Sequence, residues 1–330
     1  MARLRDIPVI YRRVGPIPFA KRVWSEVLDD HVFIFSAALA YSWLFAVFPF
    51  FIFVLNCMPI VVGARAEWTK QEFVTFVKAA LPDNAANILT QTLSTQIDNA
   101  IANPRKAVMS FSVLLALWAA SGGIAVTMAA LDKCYEIDRP RAFYKRRPVA
   151  FLLTGWFAIH VLFMIILLPL GQVVRVWYLN GQVEQGMLDT TVIFCFNAVR
   201  FTLATALAFT MLALIYHFGP SIKHRWRWIT PGALFTIVCW FALGLGFKAY
   251  VAIVGDSQYS RTYGTVGGVI VLLLTFYLDA IVLLIGAEIN SEIDFEVLNV
   301  KRGTRDFLPA ENTPTPHVFQ HARIGLDAGE

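Results

Sequence analysis

The stretch YGTVGGVIVLLLTFYLDAIVLLIGAE, Tyr263–Glu288, carries a single charged side chain, Asp279, between its two ends. A helix of about 20 apolar residues crosses the roughly 30 Å hydrocarbon layer of a bilayer, and a soluble core has no need of an apolar run this long. Working outward, the chain holds five more segments of the same kind: Val32–Val62, Ala107–Leu131, Val149–Gly171, Thr191–Phe218 and Ile229–Val254. In hydrocarbon, backbone N–H and C=O groups find no water, so each segment must bond within itself as a helix. Composition agrees, with 57% hydrophobic and only 15% charged residues, against about 25% charged in a soluble domain. The expected fold class is all-α: a polytopic membrane protein with six transmembrane helices. The first segment contains Pro49 and Pro59, so a bend or an end near Pro59 is expected.

Orientation follows from the basic residues in the connections. Nineteen Lys and Arg fall in the amino-terminal segment, the second and fourth connections and the tail, against seven in the alternate connections. Basic residues mark the cytoplasmic side, so both termini are expected in the cytoplasm, as an even number of spans requires. The first thirty residues contain no apolar core of a signal peptide, so the first span is expected to carry the chain into the bilayer.

The parts outside the spans are small. Residues 1–31 form a cytoplasmic segment in which Phe19, Val23 and Val27 recur every four residues among Lys21, Arg22 and Glu26, the pattern of a short amphipathic helix lying along the interface. The six-helix domain is expected over 32–293. Its longest outer connection, 63–106, carries two apolar stripes, Phe73, Phe76, Val77 and Ala80 before Pro82, then Leu89, Leu93, Ile97 and Ile101 after Asp83. These predict two amphipathic helices, resting on lipid or acting as a lid. Residues 294–330 turn polar and contain Pro309, Pro314 and Pro316, the composition of a disordered cytoplasmic tail.

Charges inside spans are the natural candidates for function, because Asp or Arg at a span centre costs about 2.5–3.5 kcal/mol on insertion scales. Arg200 and Asp279 lie at depths of roughly 14 and 24 Å in their spans at 1.5 Å per residue, a difference an arginine side chain largely spans, so the two pair or, as readily, each bonds backbone carbonyls or an interfacial partner. Glu288 and Asn290 stand near the cytoplasmic end of the sixth span, and Tyr41 and Tyr263 complete the candidate polar interior. Gly264 and Gly268 form a GxxxG pair, Ala242 and Gly246 a small-xxx-small pair, and Gly122 and Gly123 interrupt the second span; close helix packing explains all of them. The four cysteines, Cys57, Cys134, Cys195 and Cys239, lack clustered spacing, so free thiols are expected and neither a disulfide nor a metal site. The chain carries no phosphate-binding GxxxxGK[ST] loop, HExxH or GxSxG. No cofactor, metal or catalytic residue is expected, and anionic lipid headgroups are a sufficient partner for the basic connections, with no specific nucleic acid.

Three stretches together resemble the YihY/BrkB family of bacterial inner-membrane proteins: Ala37-Ala38-Leu39-Ala40-Tyr41 with Phe48-Pro49; Leu131-Asp132 with Tyr135, where the family often carries Asn in place of Asp132; and Tyr259-Ser260, then Tyr263-Gly264 through Gly286-Ala287-Glu288-Ile289-Asn290. The resemblance covers roughly Trp24 to Phe295. Thr275 stands where an aromatic is common and Asp279 where a small or neutral residue is usual, so any contact of Asp279 with Arg200 would be peculiar to this branch. The resemblance implies a six-helix protein of the bacterial inner membrane. It also brings a former label, ribonuclease BN, which is regarded as a misassignment; some members are suspected of handling envelope lipids, and others were named for resistance to serum killing. The expectation for this chain is transport or handling of a lipid or another amphipathic envelope component, with membrane lipids as partners and Arg200 against an anionic group. The alternatives are a non-catalytic scaffold that binds partner proteins and, third, tRNA processing.

Overall fold

The computed structural model describes residues 14–62, 90, 111–137, 140–180, 187–222, 226–254 and 259–298. All regular structure among them is helical: α1 (Pro16–Asp29), α2 (Val32–Val62), α3 (Phe111–Cys134), α4 (Phe143–Asn180), α5 (Met187–Phe218), α6 (Pro231–Val254) and α7 (Tyr259–Leu298). The expected outer-connection helices of 63–106 lie outside the described residues apart from Thr90, as does the tail from 299 onward.

α1 begins at Pro16, whose missing N–H falls where a helix has no internal partner for it. Its stripe of Phe19, Val23 and Val27 faces the protein core, Val27 completely buried, and the helix packs on α2 and α7. The turn into α2 needs a left-handed residue, and His31 takes it with φ 54°; its ring Nδ1 lies 3.0 Å from the Leu28 carbonyl.

Five helices carry apolar stretches long enough to cross a membrane: Val32–Phe51, Leu114–Cys134, Phe143–Met164, Asn197–Phe218 and Val269–Phe295. The sixth, α6, has 24 residues, or about 36 Å of helix, with an apolar stretch described over Pro231–Phe247. Their outward faces are apolar too, as exposed Phe163, Phe194 and Leu245 illustrate, which suits hydrocarbon and not water. α2 runs through both Pro49 and Pro59 to Val62, so Pro59 does not end it; a missing helical bond is tolerated when neighbouring helices and small backbone adjustments satisfy the freed carbonyl. α7, 40 residues long, continues beyond Asp294, and Asp294 and Phe295 are buried. The helix therefore carries five residues of the stretch that its composition marks as tail, 294–298, and Phe295 still finds the core.

α2 and α7 are the central helices, α2 packing on α1, α3, α4 and α7. α3 packs on α2, α4 and α7, and α7 packs on α1, α2, α3 and α6. The core gathers at one end of the bundle, around Leu39, Leu131, Tyr135, Leu212, Tyr216, Leu283 and Leu284. Two helix crossings depend on glycine. A Cβ on Gly286 would strike the Thr236 hydroxyl and the Tyr216 hydroxyl, and one on Gly232 would strike the Gly286 carbonyl, so α6 and α7 touch backbone to backbone. Between α2 and α3, a Cβ on Gly123 would come within 3.0 Å of Ala46 Cβ and 3.3 Å of Trp43 Cδ1, whereas one on Gly122 would meet nothing within 4 Å.

Overpacking costs typically about 1–3 kcal/mol, and a glycine inside a helix is worse than alanine by about 0.8–1 kcal/mol where there is room. Gly286→Ala is therefore expected to lower the thermal midpoint of the purified protein by several degrees, and Gly122→Ala to leave it unchanged or raise it. Differential scanning fluorimetry in one detergent compares the two directly.

Candidate functional site

Two features of the bundle hold its polar groups: a packed polar end, and a cavity that opens above it between the spans. At the polar end the loop after α5 is tied to α3. The Asp132 carboxylate accepts from the Ser221 backbone N–H at 2.6 Å, from the Ser221 hydroxyl at 2.9 Å and from Arg146 at 3.4 Å. Arg141 adds two bonds, its backbone N–H donating to Ser221 Oγ at 3.0 Å and its guanidinium to the Phe218 carbonyl at 2.7 Å. Lys133, next along α3, pairs with Asp30 at 3.1 Å and so fastens the α1–α2 turn. Just past α3, Tyr135 is buried, and burial holds its phenol well above its ordinary range and therefore neutral.

The start of α6 shows why the residues Thr230-Pro231-Gly232 stand where they do. A helix start exposes N–H groups that nothing inside the helix can accept. Pro231 has none. The Gly232 N–H donates to Asn290 Oδ1 of α7 at 2.9 Å, the Ala233 N–H to Thr230 Oγ1 at 3.2 Å, and the Leu234 N–H to the Thr230 carbonyl at 3.0 Å. Asn290 is thus a cap supplied by another helix. Tyr216 completes the joint: its hydroxyl donates to the Leu283 carbonyl and lies 2.8 Å from Thr236 Oγ1. Glu288, also fully buried, lies beside the Cys134 thiol, and its Oε1 has no hydrogen-bond partner among the described residues.

Further along the spans the helices separate around a cavity of about 1150 Å³. Its wall is apolar and aromatic, with Trp43, Phe50, Phe157, Trp240 and Phe276 among the larger side chains. The hydroxyls on the wall bond back to their own helices, Thr127 to the Gly123 carbonyl at 2.9 Å, Thr154 to that of Ala150 at 2.7 Å and Thr275 to that of Val271 at 2.9 Å. The Trp43 indole donates to Thr127 Oγ1 at 3.0 Å, and the Trp240 indole to the Asp279 carbonyl at 3.2 Å. Asp279 is half-buried on this wall.

The residues expected to form one polar interior are therefore divided. Glu288 and Asn290 belong to the packed end, and Asp279 to the cavity. Tyr41 does not join them: it is 61% exposed, tilted against Phe45 at 4.7 Å between ring centres. The inward face of α2 carries Ser36, Leu39, Ala40, Trp43 and Phe50, and at 100° per residue Tyr41 falls on the opposite side. Nor does an ion pair join Arg200 to Asp279; the Arg200 guanidinium lies 5.1 Å from the centre of its neighbour's ring, Phe201. Their depths, roughly 14 and 24 Å at 1.5 Å per residue, differ by what a long arginine side chain can largely span, but depth leaves the direction around the helix axis open. Tyr263, Gly264 and Gly268 lie on α7 with side-chain surroundings outside the described residues, so the expected GxxxG contact does too. Sequence reasoning missed Ser221, Arg146, Tyr216, Gly232 and Gly286 as structural partners. Gly286 stands in the most specific of the stretches that carry the family resemblance, the one signal that pointed to it.

Comparison with known proteins places this architecture. The family model described as "Virulence factor BrkB" matches residues 23–306. The chain is 28% identical to the ribonuclease-like protein YfkH of Bacillus subtilis over 78% of its own length and 88% of that protein's. It is 26% identical to a UPF0761 membrane protein of Xanthomonas axonopodis pv. citri over 88% of its own length, and to one of Stenotrophomonas maltophilia over 89%. It spans 63% of the length of these two UPF0761 relatives. No solved structure matches the chain.

Removing one partner from a buried charged pair costs about 3–5 kcal/mol, whereas an amide in its place keeps an acceptor for the Ser221 N–H. Asp132→Ala is expected to lose most of the monodisperse protein on size-exclusion chromatography, and Asp132→Asn to retain most of it with a thermal midpoint a few degrees lower.

Proposed function

Since this chain belongs to the family of the virulence factor BrkB, we propose that it is a membrane carrier that takes a lipid or another amphipathic molecule into the cavity between its spans. The cavity carries the reading. At about 1150 Å³ it exceeds the roughly 300–1,000 Å³ of ordinary small-molecule pockets, and its apolar wall suits an acyl chain. Its rim includes exposed Ile270, Leu274 and Leu278, so an amphiphile can enter sideways from the bilayer without crossing water. A polynucleotide cannot use such a site, because a row of phosphates would have to leave water for hydrocarbon. The nuclease name of the Bacillus relative is therefore not extended to this chain.

The orientation belongs to the same proposal. The end of the bundle with Lys133, Arg141, Lys145, Arg146 and Arg147 faces the cytoplasm of the bacterial inner membrane by the positive-inside rule, together with both termini. Asp132, Ser221 and the capped start of α6 then close the cytoplasmic side, and the cavity lies above them within the bilayer. The basic residues of this end meet anionic headgroups. Arg200, absent from the cavity wall, takes no part in holding the cargo.

The test is transbilayer movement of a fluorescent phospholipid in vesicles containing the full chain. Movement is expected to be faster than in empty vesicles and to fall several-fold in Ala242→Trp, which fills the cavity from its wall. Alkylation of Cys239, a free thiol on the same wall, should slow in parallel in a Cys57→Ser, Cys195→Ser background. Lipid movement equal in wild-type, Ala242→Trp and empty vesicles counts against the carrier.

A further inference from the structure

One polar group on the cavity wall has no bond to any described side chain. The Asp279 carboxyl makes no hydrogen bond or ion pair with any described residue; only its main-chain carbonyl is used, by the Trp240 indole. It lies about ten residues into the apolar stretch Val269–Phe295, some 15 Å along the helix, far from either headgroup layer. The remaining polar groups around it offer no donor. The three threonine hydroxyls give their protons to their own helices, and both indoles are already engaged. No Lys, Arg or His stands among the described residues of the wall.

Among the described residues the site thus presents one acidic acceptor in an apolar chamber, with no counter-charge and no spare donor apart from the weak Cys239 thiol. An anionic headgroup would face a like charge and find nothing to bond its oxygens. A hydroxyl would offer the carboxyl a single bond. An ammonium group supplies both the missing charge and up to three donors, and a charge-assisted bond is worth about twice a neutral one. We propose that the cavity selects an amphiphile whose polar group is an amine, held as an ammonium ion against Asp279. The proposal rests on the carrier reading and names its cargo class. It also reverses the charge expected from Arg200, which lies off the wall.

The experiment compares three probes with the same sixteen-carbon chain, hexadecylamine, hexadecanol and hexadecanoate, binding to the full-length protein in a non-ionic detergent. Quenching of tryptophan fluorescence and native mass spectrometry report occupancy. Wild type is expected to bind the amine about tenfold more tightly than the alcohol, with hexadecanoate weakest. Asp279→Asn should abolish the advantage of the amine over the alcohol, while Asp279→Glu keeps it. A further arm, phosphatidylethanolamine against phosphatidylglycerol, tells a lipid headgroup from a free alkylamine. Equal binding of the three probes, or an amine preference that survives Asp279→Asn, overturns the assignment and leaves the carrier standing. Failure of all three probes to bind, or binding indifferent to Ala242→Trp, removes the carrier and the cargo assignment together.

Discussion

The bundle depends on the contact between Gly232 and Gly286, where two membrane helices meet backbone to backbone. Ordinary side chains hold helix axes about 8–10 Å apart; without a Cβ on either helix they come closer, and bonds too short-ranged to reach otherwise become available. Asn290 reaches the first turn of α6, and the Tyr216 hydroxyl lies between Thr236 and the Leu283 carbonyl. Each bond satisfies a group that the membrane could not. Helices α5, α6 and α7 are thereby joined at one end by groups that cannot separate without exposing an unpaired donor or acceptor to hydrocarbon. The cavity lies beyond this joint along the same helices, its wall completed by α2, α3 and α4.

The same contact explains which parts of the molecule were legible in the sequence. Helix number and type came from length and polarity alone, because a bilayer imposes both on any segment that crosses it. The stripe of Phe19, Val23 and Val27 gave α1 and its buried face. Direction around a helix axis was less accessible. Apolar all-round spans carry almost no periodic signal, so nothing in the sequence showed that Tyr41 turns away from the core while Ser36 and Leu39 turn towards it. Small residues were equally ambiguous: Gly122 and Gly123 are adjacent, yet only Gly123 has a neighbour to accommodate. The Asp132–Ser221 connection spans 89 positions, and no local pattern announces a partner at that distance.

Two carboxyls on α7 show how position in the fold decides what a charge is for. Glu288 stands in the packed end, beside Cys134 and with no space around it. Asp279, nine residues earlier, stands at the wall of a chamber. Both burden the fold, since a carboxylate at span depth costs about 2.5–3.5 kcal/mol even on lenient scales. At Glu288 the burden is carried by the tight assembly around it, which includes the cap from Asn290 two residues on.

At Asp279 no such assembly exists among the described residues. Its neighbours on the wall have directed their protons elsewhere, and Arg200, the cation at comparable depth, rests against Phe201. Replacing Asp279 by a small neutral residue would remove a desolvated charge and, on the described contacts, break no side-chain bond. A charge that contributes nothing to the fold and costs a good part of a protein's usual 5–15 kcal/mol margin is accounted for when something outside the fold neutralises it. The cavity is large enough to admit that partner, and the proposed ammonium group would supply the opposite charge.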